Sequence, residues 1–185
     1  FARTLDKVRP GGIVAFITAK GTLDKENPSV RRYIAQRADL LGAIRLPENT
    51  FKRAAGTEVT ADILFLQKRD RAVSIEPDWV HLDRDANGCT MNAYFVEHPE
   101  MILGKMQIIS GPFGPETACV AQEGDDLDAM LSAAIRRIEG QITPSQTIAQ
   151  EEVGEKAIPA DPTVRNFSFA PIDGKLYYRE NSLMY

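Results

Sequence analysis

Arg45, Asn49, Phe51, Lys52 and Arg53, all between Leu41 and Arg69, are side chains of the kinds that touch nucleic acid. Four of them fall in the run 49–53, after an apolar stretch that ends at Leu46-Pro47 and before another that begins at Ala61. A connection between two strands is normally polar and solvated, so a phenylalanine there has one of two uses. It folds back beneath its loop as a small apolar plug, or it offers a flat ring on which a planar group such as an unstacked nucleobase lies. Stacking of that kind is worth about 1–3 kcal/mol per base. The cations Arg45, Lys52 and Arg53 beside the ring would draw phosphates to the same place, with Asn49 as a polar contact. Both uses remain open from the residues alone.

The flanking pattern says what would hold such a loop. Leu5 and Val8 mark a helix that Pro10, Gly11 and Gly12 stop. The run Ile13 to Ile17 is continuously apolar and rich in β-branched residues, which predicts a central strand buried on both faces. Asn27-Pro28 suits a helix start, and Val30, Tyr33, Ile34 and Ala38 recur at helical spacing opposite Arg31, Arg32 and Gln36. Strands follow at 40–46 and 61–66. Strand, helix, strand in this order predicts a right-handed parallel crossover, with the last strand returning antiparallel beside the second. The expected fold class is therefore α/β: the closing half of a doubly wound, Rossmann-like sheet with parallel strands and an antiparallel last strand, followed by a small α+β appendage.

Beyond residue 70 the signals weaken. Trp79 to Leu82 reads as a short strand, Asn92 to His98 as one or two helical turns, and 107–110 with 118–121 as a hairpin around Gly111-Pro112-Phe113-Gly114-Pro115, a turn rather than a phosphate cradle because its prolines remove N–H donors. Leu127, Met130, Leu131, Ala134, Ile135 and Ile138 trace a helical stripe, with Asp125, Asp126 and Asp128 at its positive end. Residues 141–166 have linker composition, and Asp173-Gly174 between two aromatic runs predicts a hairpin in 167–185. The expected organisation is thus 1–69, 70–140, a linker, and the closing hairpin.

Charge is divided along the chain. Residues 1–69 hold 13 Lys and Arg against 7 Asp and Glu, and residues 70–185 hold 9 against 19, a split that suits a front meeting a polyanion. No apolar run nears the roughly 20 residues that cross a bilayer. The opening, FARTLDKVRPGG, has no secretory pattern and reads as a chain cut from something longer. Two cysteines, Cys89 and Cys119, make no disulfide framework, so the expected location is the cytoplasm. His81, Cys89, His98 and Cys119 match no paired metal spacing, and Lys20 after the first strand reads as either a phosphate contact or a solvated lysine.

The stretch LGAIRLPENTF with GTEVTADILFLQKR resembles the closing strands of adenine-specific DNA methyltransferases of the type I restriction-modification kind, nearest to bacterial and phage methylase–helicase fusions, and GGIVAFITAKGTL is similar to the strand just upstream. The resemblance covers residues 1–69 strongly and 70–185 loosely, including GKLYYREN. It implies methyl transfer from S-adenosylmethionine to the exocyclic amino group of adenine, on a base turned out of duplex DNA. It makes Phe51 the residue that stacks on that base, Arg45, Asn49, Lys52 and Arg53 DNA contacts, and an upstream methyltransferase half and a downstream helicase the neighbours in one polypeptide.

The sequence departs from that pattern in two places. It has no glycine-rich turn for S-adenosylmethionine and no Asn-Pro-Pro-aromatic motif; Asn27-Pro28-Ser29 lacks the second proline and the ring. Hence no catalytic residue and no bound cofactor are expected in these 185 residues, which alone should not methylate. Two other readings stand beside this one: a non-catalytic module that contacts DNA or a neighbouring domain, and a connector with Phe51 buried.

Overall fold

The computed structural model describes residues 1–111, 114–141 and 157–185, and the chain forms two compact units, 1–143 and 144–185. The first unit opens with α1 (Ala2–Lys7), β1 (Ile13–Ala19), α2 (Gly21–Asp24), α3 (Ser29–Ala35), β2 (Ala38–Leu46), α4 (Lys52–Ala55) and β3 (Ala61–Lys68). It continues with a 3-10 turn at Asp78–Val80, β4 (Leu82–Arg84), β5 (Thr90–Asn92), α5 (Ala93–Glu97), a second 3-10 turn at Pro99–Met101, β6 (Lys105–Gly111), β7 (Gly114–Val120) and α6 (Leu127–Ile135). The second unit holds β8 (Ile158–Pro159), β9 (Phe169–Ile172), β10 (Lys175–Glu180) and β11 (Leu183–Met184).

The expected Rossmann-like half-sheet is not what forms. The main sheet has the order β1-β3-β2, and β3 runs antiparallel to both neighbours. The other three sheets, β4-β5, β6-β7 and β8-β11-β10-β9, are also antiparallel throughout, and the parallel pairing among the described residues is a lone bridge between Arg45 and Ile102. The physical reason lies in β3. It inserts between the two strands that a crossover would have paired, so β1 and β2 each bond to β3 and never to one another. Helices are few and short. The result is a set of small antiparallel sheets, with helical cover in the first unit.

Two further expectations change with it. The first apolar run is not a central strand: β1 is the edge of its sheet, and its residues alternate between exposed and half-buried. An apolar run reports strand propensity but not how many neighbours the strand has. Arg31 is not on the outer face of its helix: it is buried, with Nε donating to the Val80 carbonyl at 2.7 Å and Nη1 to that of Lys25 at 2.6 Å. Its neighbour Arg32 stays outside, paired with Glu76.

Local chemistry sets the element ends. Asn27 Oδ1 accepts from the Ser29 N–H at 2.9 Å ahead of α3, Asn92 Oδ1 accepts from the Tyr94 N–H at the start of α5, and Asp126 Oδ1 accepts from the Ala129 N–H at the start of α6. Asp173 and Gly174, at φ 49° and 77°, form the two-residue turn between β9 and β10. Of the glycine–proline turn between β6 and β7, residues 112 and 113 lie outside the described set, as do 142–156 of the expected linker.

Two apolar clusters fill the first unit. The larger joins Ala43, Ile44, Leu46 and Leu64 of the sheet to Leu23, Met91, Phe95, Leu103, Met106, Cys119 and Ala134, so elements from both sides of residue 70 share one core. The smaller gathers Leu5, Ile34, Ala38 and Leu66 under α1 and α3. Gly104 lets the β6–β7 hairpin close on the larger core: a Cβ there would stand 2.7 Å from the Val120 carbonyl oxygen and 2.9 Å from Cys119 Sγ.

Burial pushes the Cys119 thiol up to about 12 and that of Cys89 upward as well. Because the thiolate is the nucleophile, neither cysteine should react with iodoacetamide at about pH 8 in the native chain, whereas both should be alkylated in denaturant. Mass spectrometry of the intact chain reads both states.

Candidate functional site

At the end of the main sheet a charged cluster sits inside the core. Arg45 on β2 faces Asp62 across the β2–β3 pair, with Nε donating to Oδ1 at 2.8 Å and Nη2 to Oδ2 at 2.9 Å, a two-pronged pair. Nη2 also donates to Asp24 Oδ1 at 2.9 Å, from the end of α2. The guanidinium stacks on the Phe95 ring, 4.2 Å from its centre. The side chains of Arg45 and Asp62 are 0% exposed and that of Asp24 is 9% exposed. Asn92 completes the cluster: its N–H donates to Asp24 Oδ1, and its Nδ2 donates to the carbonyls of Leu23 and Trp79.

The electrostatics of this cluster are those of removal from water. Burial alone would disfavour the Arg45 charge, yet Asp62 and Asp24 outweigh that and hold it firmly protonated. Burial also pushes the Asp62 carboxyl above the ordinary carboxylate range, and Arg45 pulls it back only in part. Arg45 Nη1 and Asp24 Oδ2 have no hydrogen-bond partner among the described residues.

Arg45 is thus a poor contact for DNA. A guanidinium sealed between two carboxylates and a ring meets no phosphate from solvent. The sequence reading missed Asp62, Asp24, Phe95 and Asn92, although one signal was available. Arg45 and Asp62 are each a charge inside an apolar run, 40–46 and 61–66, and such residues are almost never buried singly.

Asn49, Phe51, Lys52 and Arg53 do come together, on the connection from β2 to β3. The connection begins with a turn in which the Thr50 N–H and hydroxyl both donate to the Pro47 carbonyl. Phe51 then caps α4, and Gly56, at φ 65°, ends it. Its base is pinned: the Glu48 N–H donates to the Cys119 carbonyl and the Val59 N–H to the Glu48 carbonyl, both at 2.8 Å, and Thr60 Oγ1 accepts from the Cys119 N–H at 2.9 Å.

On that frame the four side chains differ. Asn49, Lys52 and Arg53 are exposed. Phe51 is half-buried and leans on the larger core cluster, so the ring is partly plug and partly surface. Lys52 Nζ pairs with Glu58 Oε1 at 2.7 Å across the tip, both side chains more than half exposed. A cavity of about 360 Å³ opens beside the turn, lined by Pro47, Asn49, Thr50, Leu103, Asp125 and Leu127 among others.

The remaining sequence candidates lie elsewhere. Lys20 is committed to the Thr117 carbonyl and to Glu116. His81 lies 3.4 Å from Glu76, and His98 stacks against Tyr94. Among the described residues no three His, Cys, Asp or Glu side chains are grouped as a metal ion would require, and no helix is long and apolar enough to cross a membrane.

Over 104 residues, 56% of its length, the chain is 31% identical to Defense against restriction protein B of Escherichia phage P1. That match spans only 4% of the phage protein. No family model matches the chain, and no solved structure does. These findings overturn the resemblance to adenine methyltransferases and to methylase–helicase fusions. No methyltransferase family is found, the relative is named for defence against restriction, and the sheet is not the Rossmann-like one. Restriction-modification persists only loosely, through the word restriction in that name. Methyl transfer, with its S-adenosylmethionine, rested on the resemblance alone.

Replacing Arg45 by methionine would leave Asp62 and Asp24 buried without a counter-charge, at a cost of about 3–5 kcal/mol. Arg45→Met together with Asp62→Leu should recover only part of that loss, because Asp62 leaves with its partner while Asp24 keeps a buried charge without a counter-ion. Urea unfolding of the single and double variants measures both.

Proposed function

We propose that this chain is a non-catalytic, DNA-contacting module of a longer protein that acts in defence against restriction, and that the connection between β2 and β3 makes the contact. One observation carries the reading: Asn49, Lys52 and Arg53 are exposed together on a connection whose base is bonded to β7, with a half-buried aromatic ring among them. Pinned donors and cations meet a phosphate backbone with little ordering cost. The likeness to the phage protein, named for defence against restriction, supplies the setting.

The Lys52–Glu58 pair fits this use. An exposed ion pair is worth about 0–1 kcal/mol, so a phosphate displaces Glu58 from Lys52 at small cost. Two cations in contact would give modest, salt-sensitive affinity without sequence preference. One observation favours a connector instead: Glu48 and Glu58 balance Lys52 and Arg53 in the same stretch, which suits a protein neighbour as well as a polyanion.

Fluorescence anisotropy with a mixed-sequence duplex separates the two. Binding should weaken with salt at a log–log slope on the order of −2, for two phosphates neutralised. Lys52→Gln with Arg53→Gln should lower affinity several-fold and flatten the slope, while Glu58→Gln should tighten binding. No binding at low salt, or a double variant indistinguishable from the parent chain, would leave the connector reading in its place.

A further inference from the structure

The outer edge of β1 is an unfinished margin of the main sheet. At its two ends the Lys68 N–H donates to the Gly12 carbonyl and the Lys20 N–H to that of Thr60, both at 2.9 Å. The register between them is unbroken, from Ile13 opposite Gln67 to Ala19 opposite Ala61. Antiparallel pairing alternates bonded and non-bonded pairs, so Val14, Phe16 and Thr18 bond to β3. The N–H and C=O groups of Ile13, Ala15, Ile17 and Ala19 point the other way, and no hydrogen bond occupies them among the described residues.

The side chains on the same residues are largely open, with Gly140 against Ile13 at one end. Ile17 is 62% exposed and Ile13 37%, and Ala15 and Ala19 are also exposed. Beside them lie Ile63 and Phe65 of β3, both half-buried. The opposite face is already closed up to this margin: Phe1 packs on Phe16 with ring centres 4.5 Å apart, and both join the cluster under α1 and α3.

Edge strands of finished sheets carry devices against further pairing: a proline, an outward charge, a bulge, or very short length. β1 has seven residues, IVAFITA, with none of these. Its free backbone groups accept one kind of occupant, an extended strand, and its exposed isoleucines need apolar side chains over them.

We infer that β1 pairs along its outer edge with a further β-strand supplied by the same polypeptide from outside these 185 residues. The phage relative supports this source, since the 104 matched residues are only 4% of that protein and a polypeptide of that kind has ample further chain to supply a strand. A tethered strand also reaches the edge at high effective concentration, which keeps so open a margin from capturing other chains. With the proposed function the inference shares only the setting of a longer protein; loss of DNA binding would not touch it.

Amide exchange tests it. In the 185-residue chain by NMR, the amides of Val14, Phe16 and Thr18 should be protected and those of Ile13, Ala15, Ile17 and Ala19 should exchange quickly. In a longer polypeptide carrying the neighbouring sequence, read by mass spectrometry, the segment 13–19 should retain additional deuterium-protected amides. Ile17→Lys should leave the urea midpoint of the short chain unchanged and lower that of the longer one. Equal protection of 13–19 in both forms, or an Ile17→Lys change without effect in the longer form, would overturn the inference. So would protection in the short chain that grows with its concentration, which would make the occupant a second copy.

Discussion

The fold of the first unit turns on burying one positive charge between two negative ones. Arg45, Asp62 and Asp24 come from β2, β3 and α2, and Phe95 adds the ring of α5. A charge this deep is tolerated only when its partners are held in place, so the cluster fixes the register of β2 against β3 and the position of α2 over both. Asn92 extends the constraint, tying Asp24 to the carbonyls of Leu23 and Trp79. Apolar residues of similar volume could fill the space with equal stability, but they would not dictate which strand position lies opposite which.

That constraint also supports the exposed connection. Arg45 lies one residue before the end of β2 and Asp62 one residue after the start of β3, so the connection leaves the sheet from a locked pair. The β6–β7 hairpin then bonds to its base through Cys119, and Gly104 lets the segment entering β6 lie close against Cys119 and Val120 of β7. Asn49, Lys52 and Arg53 therefore stand on a rigid base although each is individually solvated. Rigid base and solvated tip are what the proposed contact with a phosphate backbone asks for.

The main sheet is asymmetric for a related reason. Its β2 side carries the buried pair and is covered by α6 and the 138–140 segment, whose Ile138 lies within 3.1 Å of where a Cβ on Gly42 would be. Its β1 side has helical cover on one face and open apolar surface on the other.

The sequence by itself determined the local elements: the apolar runs that became β1, β2 and β3, the Asn27-Pro28 entry to α3, the capped stripe of α6 and the Asp173-Gly174 turn. Each follows from residue spacing and short-range hydrogen bonding, which act within a few positions. It also brought Asn49, Phe51, Lys52 and Arg53 to one place, because they are neighbours in the chain. Only the tertiary structure decided that β3 lies between β1 and β2, that β1 is an edge, and that Arg45 and Arg31 are interior rather than surface cations. Strand order and burial depend on which distant partners meet. Asp62 lies 17 residues from Arg45, Val80 lies 49 from Arg31, and periodicity within one segment carries no information about either.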